Sequence, residues 1–157
     1  MALDETAKKE NIKASIRKYF VENVARTGGK RLTFDKSLSN PRIQGQSPVD
    51  EWVSVNHGSM DVESLSSHDI IVHCCTRKDA EGIKLAKLRD VVMGYLSDIT
   101  TTDGFCRIPF YQIKMTGPWT LLGAFLVTEV HESDDMESTD ETKFITLTCR
   151  LRFASKV

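Results

Sequence analysis

Residues 68–96 read HDIIVHCCTRKDAEGIKLAKLRDVVMGYL and hold the two clearest structural signals of the chain. Residues 68–77 place apolar side chains at both alternating sets of positions, which predicts a central strand covered on both faces. Residues 80–98 repeat apolar side chains at helical spacing, and Asp79 stands where a helix N-cap is expected. The stripe that we expect to be buried comprises Leu85, Leu88, Val92, Tyr95 and Ile99. The block therefore predicts a strand that leads directly into an amphipathic helix.

The turn between that strand and that helix, residues 76–79, reads TRKD. Enzymes built on a strand, a turn and a helix often carry a glycine-rich phosphate loop or a nucleophile elbow at this place. This turn has neither, so the clearest structural unit of the chain favours a scaffold over a catalyst.

The N-terminal part of the chain predicts a second helix over residues 4–26. Its apolar side chains recur on one side only, Asp4 or Thr6 can cap its start, and a glycine pair follows its end at Gly28. We expect the one-sided stripe to cover a sheet or a neighbouring subunit.

Two strand signals and one loop signal follow that helix. Residues 31–36 alternate weakly and predict a short strand, whereas residues 50–60 predict a longer one. Residues 37–48 contain two prolines and several small polar side chains, which is typical of a loop.

The C-terminal part predicts three strands. Residues 107–114 form a short strand, and Pro109 places it at an edge of the sheet, since proline lacks the N–H that a ladder needs. Residues 119–132 and residues 142–154 are longer signals and predict an antiparallel hairpin. The connecting residues, 133–142, are acidic and almost without apolar side chains, which predicts a solvated and mobile tip.

These elements occur in the order α, β, β, β, α, β, β, β. The chain has 157 residues, 40% of them apolar and 27% charged, which is enough for one domain with a real core and short for two. We therefore predict a single α+β domain over residues 1–157. It consists of a mostly antiparallel sheet with both helices packed on one face and a long C-terminal β-hairpin.

The net charge, the lack of long apolar runs and the cysteine spacing exclude several classes of protein. The net charge is −1, so no global positive field draws the protein to nucleic acid. The charged N-terminal residues lack the apolar segment of a signal peptide, and no run approaches the roughly 20 apolar residues of a membrane span. The four cysteines include no CxxC spacing, and we expect reduced structural thiols and no membrane partner.

No motif for catalysis, a cofactor or a metal stands out, and we expect no residues of these three kinds. The rival hypothesis is a small α+β enzyme or binding domain centred on His73, Cys75 and Cys149, because a cysteine beside a histidine can become a nucleophile. A metal site that draws Cys149 or Cys106 from separate strands also stays open. The reactivity of the native thiols distinguishes these alternatives from a scaffold, since a nucleophilic cysteine has a lowered pKa.

Eight residues are candidates for an interface or a channel lining. Arg150 and Arg152 lie one pleat apart on the face of the last strand that points away from the core, where arginine forms either intersubunit pairs or ordinary solvent contacts. Trp119 begins a strand and packs at the core, at an edge or in an interface. The acidic residues of the tip face solvent, a partner or a lumen; they are Asp134, Asp135, Glu137, Asp140 and Glu141.

Three segments of the chain carry a family resemblance: NIKASIRKYFVENV at residues 11–24, VDEWVSVNHG at residues 49–58, and IIVHCCTRKDAEGIKLAKLRDVVMGYL at residues 70–96. They resemble the tail terminator proteins of long-tailed bacteriophages of the lambda-like and T-five-like kinds. The third segment shows that family's strand, a C-x-R-x-D-x-x-G turn that starts at Cys75, and a helix that ends in L-x-D-x-V-x-x-x-L at Leu96. The likeness extends over roughly residues 10–130.

The resemblance implies a structural virion protein without catalytic activity. Such proteins form a homo-hexameric ring that caps the finished tail tube, stops the polymerisation of tube protein and joins the tail to the head connector. The implied partners are further copies of the chain, the tail tube protein and the head completion protein, with DNA passing through the lumen without sequence-specific binding. The implied location is the head-proximal end of the tail, after assembly in the host cytoplasm. Head–tail joining and tail completion proteins share this architecture and are the alternative.

Overall fold

The computed structural model describes residues 2–35 and 49–155, and these contain two α helices and seven strands. Helix α1 spans Lys9–Phe20 and continues as a π-helical segment over Val21–Thr27, and helix α2 spans Ile83–Leu96. The strands are β1 (Leu32–Phe34), β2 (Glu51–Asp61), β3 (Leu65–Thr76), β4 (Arg107–Gln112), β5 (Thr120–Glu132), β6 (Met136–Glu137) and β7 (Lys143–Ala154). The predicted order of elements is confirmed, and the two-residue β6 is an addition to it.

The strands form one sheet in the order β1-β2-β3-β7-β5-β4, and β6 pairs with β7 beside that path. Strands β1 and β2 run parallel, and the other pairs are antiparallel. Strand β3 lies in the middle, with Val72 opposite Val55 of β2 and opposite Leu147 of β7. The mostly antiparallel sheet, the central place of β3 and the long β5–β7 hairpin are therefore as predicted.

Both helices pack on the same face of this sheet. Alternate positions of β3 and β7 point to that face and are buried, which is the period-two pattern that the sequence shows in the last strand. The buried helix residues that meet them are Ile12, Ile16, Phe20 and Val24 from the first helix and Leu85, Leu88, Val92 and Leu96 from the second. Each such side chain stabilises the fold by about 1.5–3 kcal/mol through the apolar surface that it removes from water. The predicted α+β fold with two helices on one face is confirmed.

Helix α1 also covers the edge strand β4 with polar side chains. The Ser15 hydroxyl accepts a hydrogen bond from the Tyr111 N–H at 2.8 Å, and the Asn11 amide oxygen accepts one from the Ile113 N–H at 3.1 Å. Strand β4 is the last strand of the sheet, as Pro109 predicts. These two buried side chains therefore satisfy backbone groups that a sheet edge would otherwise leave unpaired.

The turn before α2 is closed by Asp79. Its carboxylate accepts hydrogen bonds from the Leu85 N–H at 2.9 Å, the Lys84 N–H at 3.3 Å and the Thr76 hydroxyl at 3.0 Å. Burial raises the pKa of this carboxyl, but the hydrogen bonds that it accepts outweigh burial and lower the pKa below its usual value. The N-cap position belongs to Gly82, whose φ is +76°. Asp79 thus caps the helix in effect, as predicted, but it does so from three residues before the observed N-cap.

Helix α2 is shorter than the predicted range of 80–98. The helix ends at Leu96, and the Asp98 carboxylate then accepts the Thr100 N–H at 2.9 Å in the turn that follows. The prediction that Ile99 belongs to the buried stripe is wrong, since this side chain is 96% exposed. Leu96 takes the last buried position, and Tyr95 is only partly buried.

The strand limits differ from the predictions by a few residues. Strand β1 has three residues of the six predicted at 31–36, and β3 begins at Leu65 rather than at position 68. The loop predicted over residues 37–48 lies outside the described residues. No helix in the described part of the chain is long and apolar enough to cross a membrane.

Candidate assembly surface

Strand β5 is long and mostly exposed. Of its 13 residues, only Phe125 and Val127 are buried. At about 3.3 Å per residue, the strand separates its two ends by roughly 40 Å. Trp119 lies directly before one end, and the acidic tip follows the other end. The structure therefore presents two of the predicted candidate regions at opposite ends of one strand and does not bring them together.

Arg150 lies on the sheet face away from the helices, where the sequence predicts it. It stands opposite Asp69 of β3 and opposite Glu129 of β5. Its Nε is 3.2 Å from the Asp69 Oδ1 and 3.9 Å from the Glu129 Oε1. Arg150 and Glu129 are exposed and Asp69 is partly buried, so the pairs remain in contact with solvent and add little to stability. Because of these two ion pairs, the positive charge of Arg150 is already neutralised within its own subunit.

Arg152 lies on the same face and differs in its surroundings. It is exposed and stands opposite Ser67 of β3 and Leu126 of β5. No acidic side chain of the described residues forms an ion pair with it, and Leu126 beside it is 38% exposed. Of the two predicted arginines, Arg152 is therefore the one that is available to a partner.

Trp119 packs against helix α1 at the β4 edge of the sheet. Its ring is 6.4 Å from the Tyr111 ring, and the Lys18 Nζ lies 5.7 Å from the Trp119 ring and 5.6 Å from the Tyr111 ring. An open groove of about 360 Å³ runs between this tryptophan and the helix. We name it the α1 groove; it is lined by Ala14, Arg17, Lys18, Val21, Glu22, Arg26 and Trp119.

The acidic tip is a folded turn at residues 133–142. Strand β6 pairs with β7 there, placing Met136 opposite Phe144, and the Ser138 N–H donates to the Thr142 carbonyl at 2.8 Å. The Ser138 hydroxyl and the Thr142 N–H hydrogen-bond to the Asp140 carboxylate and lower its pKa. The mobility expected of this tip stays a prediction.

The remaining four acidic residues of the tip are exposed: Asp134, Asp135, Glu137 and Glu141. None of them forms an ion pair with another described residue. The base beside the tip, Lys143, donates from its Nζ to the Ala80 carbonyl at 3.2 Å. The tip therefore presents a negative surface that its own subunit does not neutralise within the described residues.

The residues of the rival enzyme hypothesis do not form a catalytic group. His73 and Cys75 share the outer face of β3, whereas Cys149 lies on the helix side of β7. The His73 Nδ1 is 2.9 Å from the Thr146 hydroxyl. Burial raises the pKa of Cys75 and that of Cys149 to about 12, which is the opposite of what activates a nucleophile.

All four cysteines are buried and free. Within the described ranges, no group of three or more histidine, cysteine or acidic side chains is arranged to hold a metal ion. Among the described residues, Cys106 and Cys149 therefore lack the additional ligands that the metal site left open by the sequence would need.

Sequence reasoning missed a contact between two histidines. The His57 Nδ1 is 2.9 Å from the His68 Nε2, and the rings stack with centroids 5.2 Å apart. A bulge in β2 after His57 shifts the register and brings the two side chains together. Burial lowers the pKa of both, that of His68 to about 4. The alternation in β3 places His68 on the buried face, but no signal in the sequence reveals the bulge.

Neither a protein-family model nor a curated protein matches this sequence. Among solved structures, the chain is similar to a protein from the virion of a native gene transfer agent particle, with 17% sequence identity and a TM-score of 0.52. That match covers 95% of this chain and 98% of the other. A second similar structure, which carries no functional description, has 10% identity and a TM-score of 0.51 and covers 96% of this chain and 97% of its own. These likenesses show that the fold is shared over almost the whole chain.

Proposed function

We infer that this chain is a structural virion protein and, more specifically, a tail terminator. In this role, copies of the chain form a ring, a hexamer by the family resemblance, that caps the finished tail tube and stops its growth. The ring also joins the tail to the head connector, and DNA passes through its lumen without sequence-specific binding. The protein has this role at the head-proximal end of the tail, after assembly in the host cytoplasm.

The observation that carries the proposal is the similarity of fold, over nearly the full length of both chains, to a protein from a virion particle. Such a likeness by itself indicates a fold and not a role. The role comes from the resemblance to tail terminators, which is strongest at residues 70–96. In the structure these residues form the β3–turn–α2 unit, in which Asp79 and Gly82 shape the turn.

The surface of the molecule supports an assembly role. Strand β5 exposes apolar side chains that a lone domain does not need, with Leu121 63% exposed and Leu126 38% exposed. Arg152 stands opposite Leu126 and forms no ion pair with the described residues, and arginine next to apolar surface is typical of protein interfaces. We propose that the outer face of β5 and β7 contacts the tube protein.

The charge of the chain suits the passage of DNA. A strongly basic ring would bind phosphates and retain the DNA, whereas the net charge of this chain is −1. No step of the proposed role needs catalysis or a cofactor.

Growth of the tail tube in vitro tests the proposal. Purified tube protein of the same virus is polymerised alone, with this protein, and with the same protein unfolded beforehand as a control. We expect electron micrographs to show a ring at one end of the tubes and shorter tubes only with the folded protein. Tubes of unchanged length without end rings would contradict the proposal. Binding to the head connector but not to tubes would instead identify a head-side joining protein.

A further inference from the structure

We propose that the acidic tip of one copy docks into the α1 groove of the next copy and so links the subunits head to tail. This inference rests on the proposed function in one respect, namely that copies of the chain assemble. It goes beyond the proposed function because it identifies the two surfaces that meet, the acidic tip and the α1 groove.

The α1 groove combines an apolar floor with a basic rim. Ala14, Val21 and Trp119 supply the apolar part. Arg17 and Arg26 are exposed, and neither forms an ion pair with a described acidic side chain. Arg17 instead lies over the Phe34 ring, with its Cζ 5.2 Å from the ring centroid.

Lys18 also lines the groove, but it is bound to Glu22, with its Nζ 2.5 Å from the Glu22 Oε1. That pair cancels the one acidic side chain in the lining. The remaining charge of the groove is therefore positive and comes from the two arginines.

The tip has the complementary composition. Four exposed carboxylates without an ion pair among the described residues share this turn with Met136, which is 38% exposed and has Asp135 and Glu137 as its sequence neighbours. Methionine is flexible and packs favourably against aromatic rings. An apolar side chain flanked by acids on the tip thus matches an apolar floor flanked by arginines in the groove. Because of this complementarity, we infer that the tip of a second copy of the chain occupies the groove.

The two surfaces cannot meet within one molecule. Trp119 precedes β5 and the tip follows it, so the 13-residue strand holds them roughly 40 Å apart. A contact between two different patches that is made once per pair of neighbours is heterologous, and it closes into a ring when the rotation between subunits allows it. Two copies that exchange both contacts would instead form a two-fold dimer, and the oligomer mass distinguishes the ring from that dimer.

Charge reversal tests the docking. The tip variant D134K/D135K/E137K leaves Asp140 in place, because Asp140 holds the turn. The groove variant is R17E/R26E. The control K87E/K114E makes the same change in net charge as the groove variant, at two exposed positions outside the groove. Oligomer mass is measured by native mass spectrometry and analytical ultracentrifugation, with and without tube protein, and circular dichroism checks that each variant is folded.

We expect the tip variant and the groove variant each to assemble at least about tenfold more weakly than the wild type and the control. Mixing these two variants should restore assembly, because each lysine tip then meets a glutamate groove and each original tip meets an original groove. The restored rings would alternate the two variants and contain an even number of subunits.

Three results would overturn the docking alone. Variants that assemble as the wild type does would show that the ring uses other surfaces, and the proposed function would stand. A control that dissociates like the groove variant would show a general effect of charge. A tip variant with intact rings but altered DNA retention would show that the tip lines the lumen. If the wild type does not assemble even on tubes, both this inference and the proposed function fail.

Discussion

The Nδ1 of His57 lies 2.9 Å from the Nε2 of His68, and both imidazoles are packed between the β2–β3 pair and helix α1. A contact this short between two histidines requires that one nitrogen donates and the other accepts, which two uncharged rings can satisfy and two charged rings cannot. Lys13 of α1 and Asp35 after β1 lie close to the pair, and Lys9 adds further positive charge. The contact therefore makes the stability of the fold sensitive to pH.

We predict that the free energy of unfolding falls as the pH is lowered from 6.5 to 5. Burial lowers the pKa of His68 from 6.5 to about 4 in the folded protein, so in this range the unfolded state binds a proton that the folded state does not. The stabilisation is complete above pH 6.5 and is lost progressively as the pH falls towards 4. One such histidine changes the free energy by at most about 1.4 kcal/mol per pH unit. Urea unfolding at several pH values measures it.

The variant H68Q removes this titration, and we expect its stability to vary less between pH 5 and 6.5 than that of the wild type. H131Q is the matched control, because His131 is exposed on β5. An H68Q protein with an unchanged pH profile would show that the histidine pair does not cause the effect.

Asp79 should contribute more to stability than other acidic residues near α2. We expect D79A to lower the free energy of unfolding by about 1–3 kcal/mol, because it removes a helix cap and leaves the buried Thr76 hydroxyl without its acceptor. D90A removes only an exposed pair with Arg89 and should stay within about 0.5 kcal/mol of the wild type. Chemical denaturation of the two variants tests the difference; equal effects would contradict the capping role.

The native thiols should react slowly with a thiol reagent. All four are buried, and burial raises the pKa of each, so the thiolate is scarce at neutral pH. We expect four thiols to react within seconds in denaturant and none at a comparable rate in the native protein. A single fast thiol in the native state would favour the enzyme hypothesis around Cys75.

Arg150 and Arg152 should differ in their effect on tube binding. Arg150 is engaged by Asp69 and Glu129, whereas Arg152 has no ion pair among the described residues. We therefore expect R152Q to weaken binding to tail tubes more than R150Q does, while the melting temperatures of both stay close to that of the wild type. Co-sedimentation with tubes measures the binding. If R150Q has the larger effect, the contact does not use the outer face in the way proposed.

Much of the fold could be predicted because its signals are local. The strict alternation in β7 and the helical periodicity of α1 are each produced by one element that buries one face, and that periodicity is visible in the sequence. Pro109 likewise places β4 at the edge by a property of one residue. These features can be predicted without knowing which elements pack against each other.

The features that sequence reasoning missed depend on contacts between distant residues. The His57–His68 contact needs the register shift in β2, and the groove needs Trp119 to fold back against α1. Ile99 was misplaced because the helical spacing continues for one step beyond Leu96, where a turn held by Asp98 ends the helix. The seven charged candidate residues were predictable as exposed, but their pairing was not, since Asp69 lies 81 positions from Arg150.

The length of tails in particles made without this chain is the most direct test of its role as a tail terminator. Electron micrographs of tails from a host that expresses every virion protein except this one are compared with those from a host in which the chain is supplied in trans. If the chain is a tail terminator, we expect tails that are longer than normal, variable in length and not joined to heads, with normal length restored by the supplied chain. Tails of normal length would contradict the account, whether they carry heads or not.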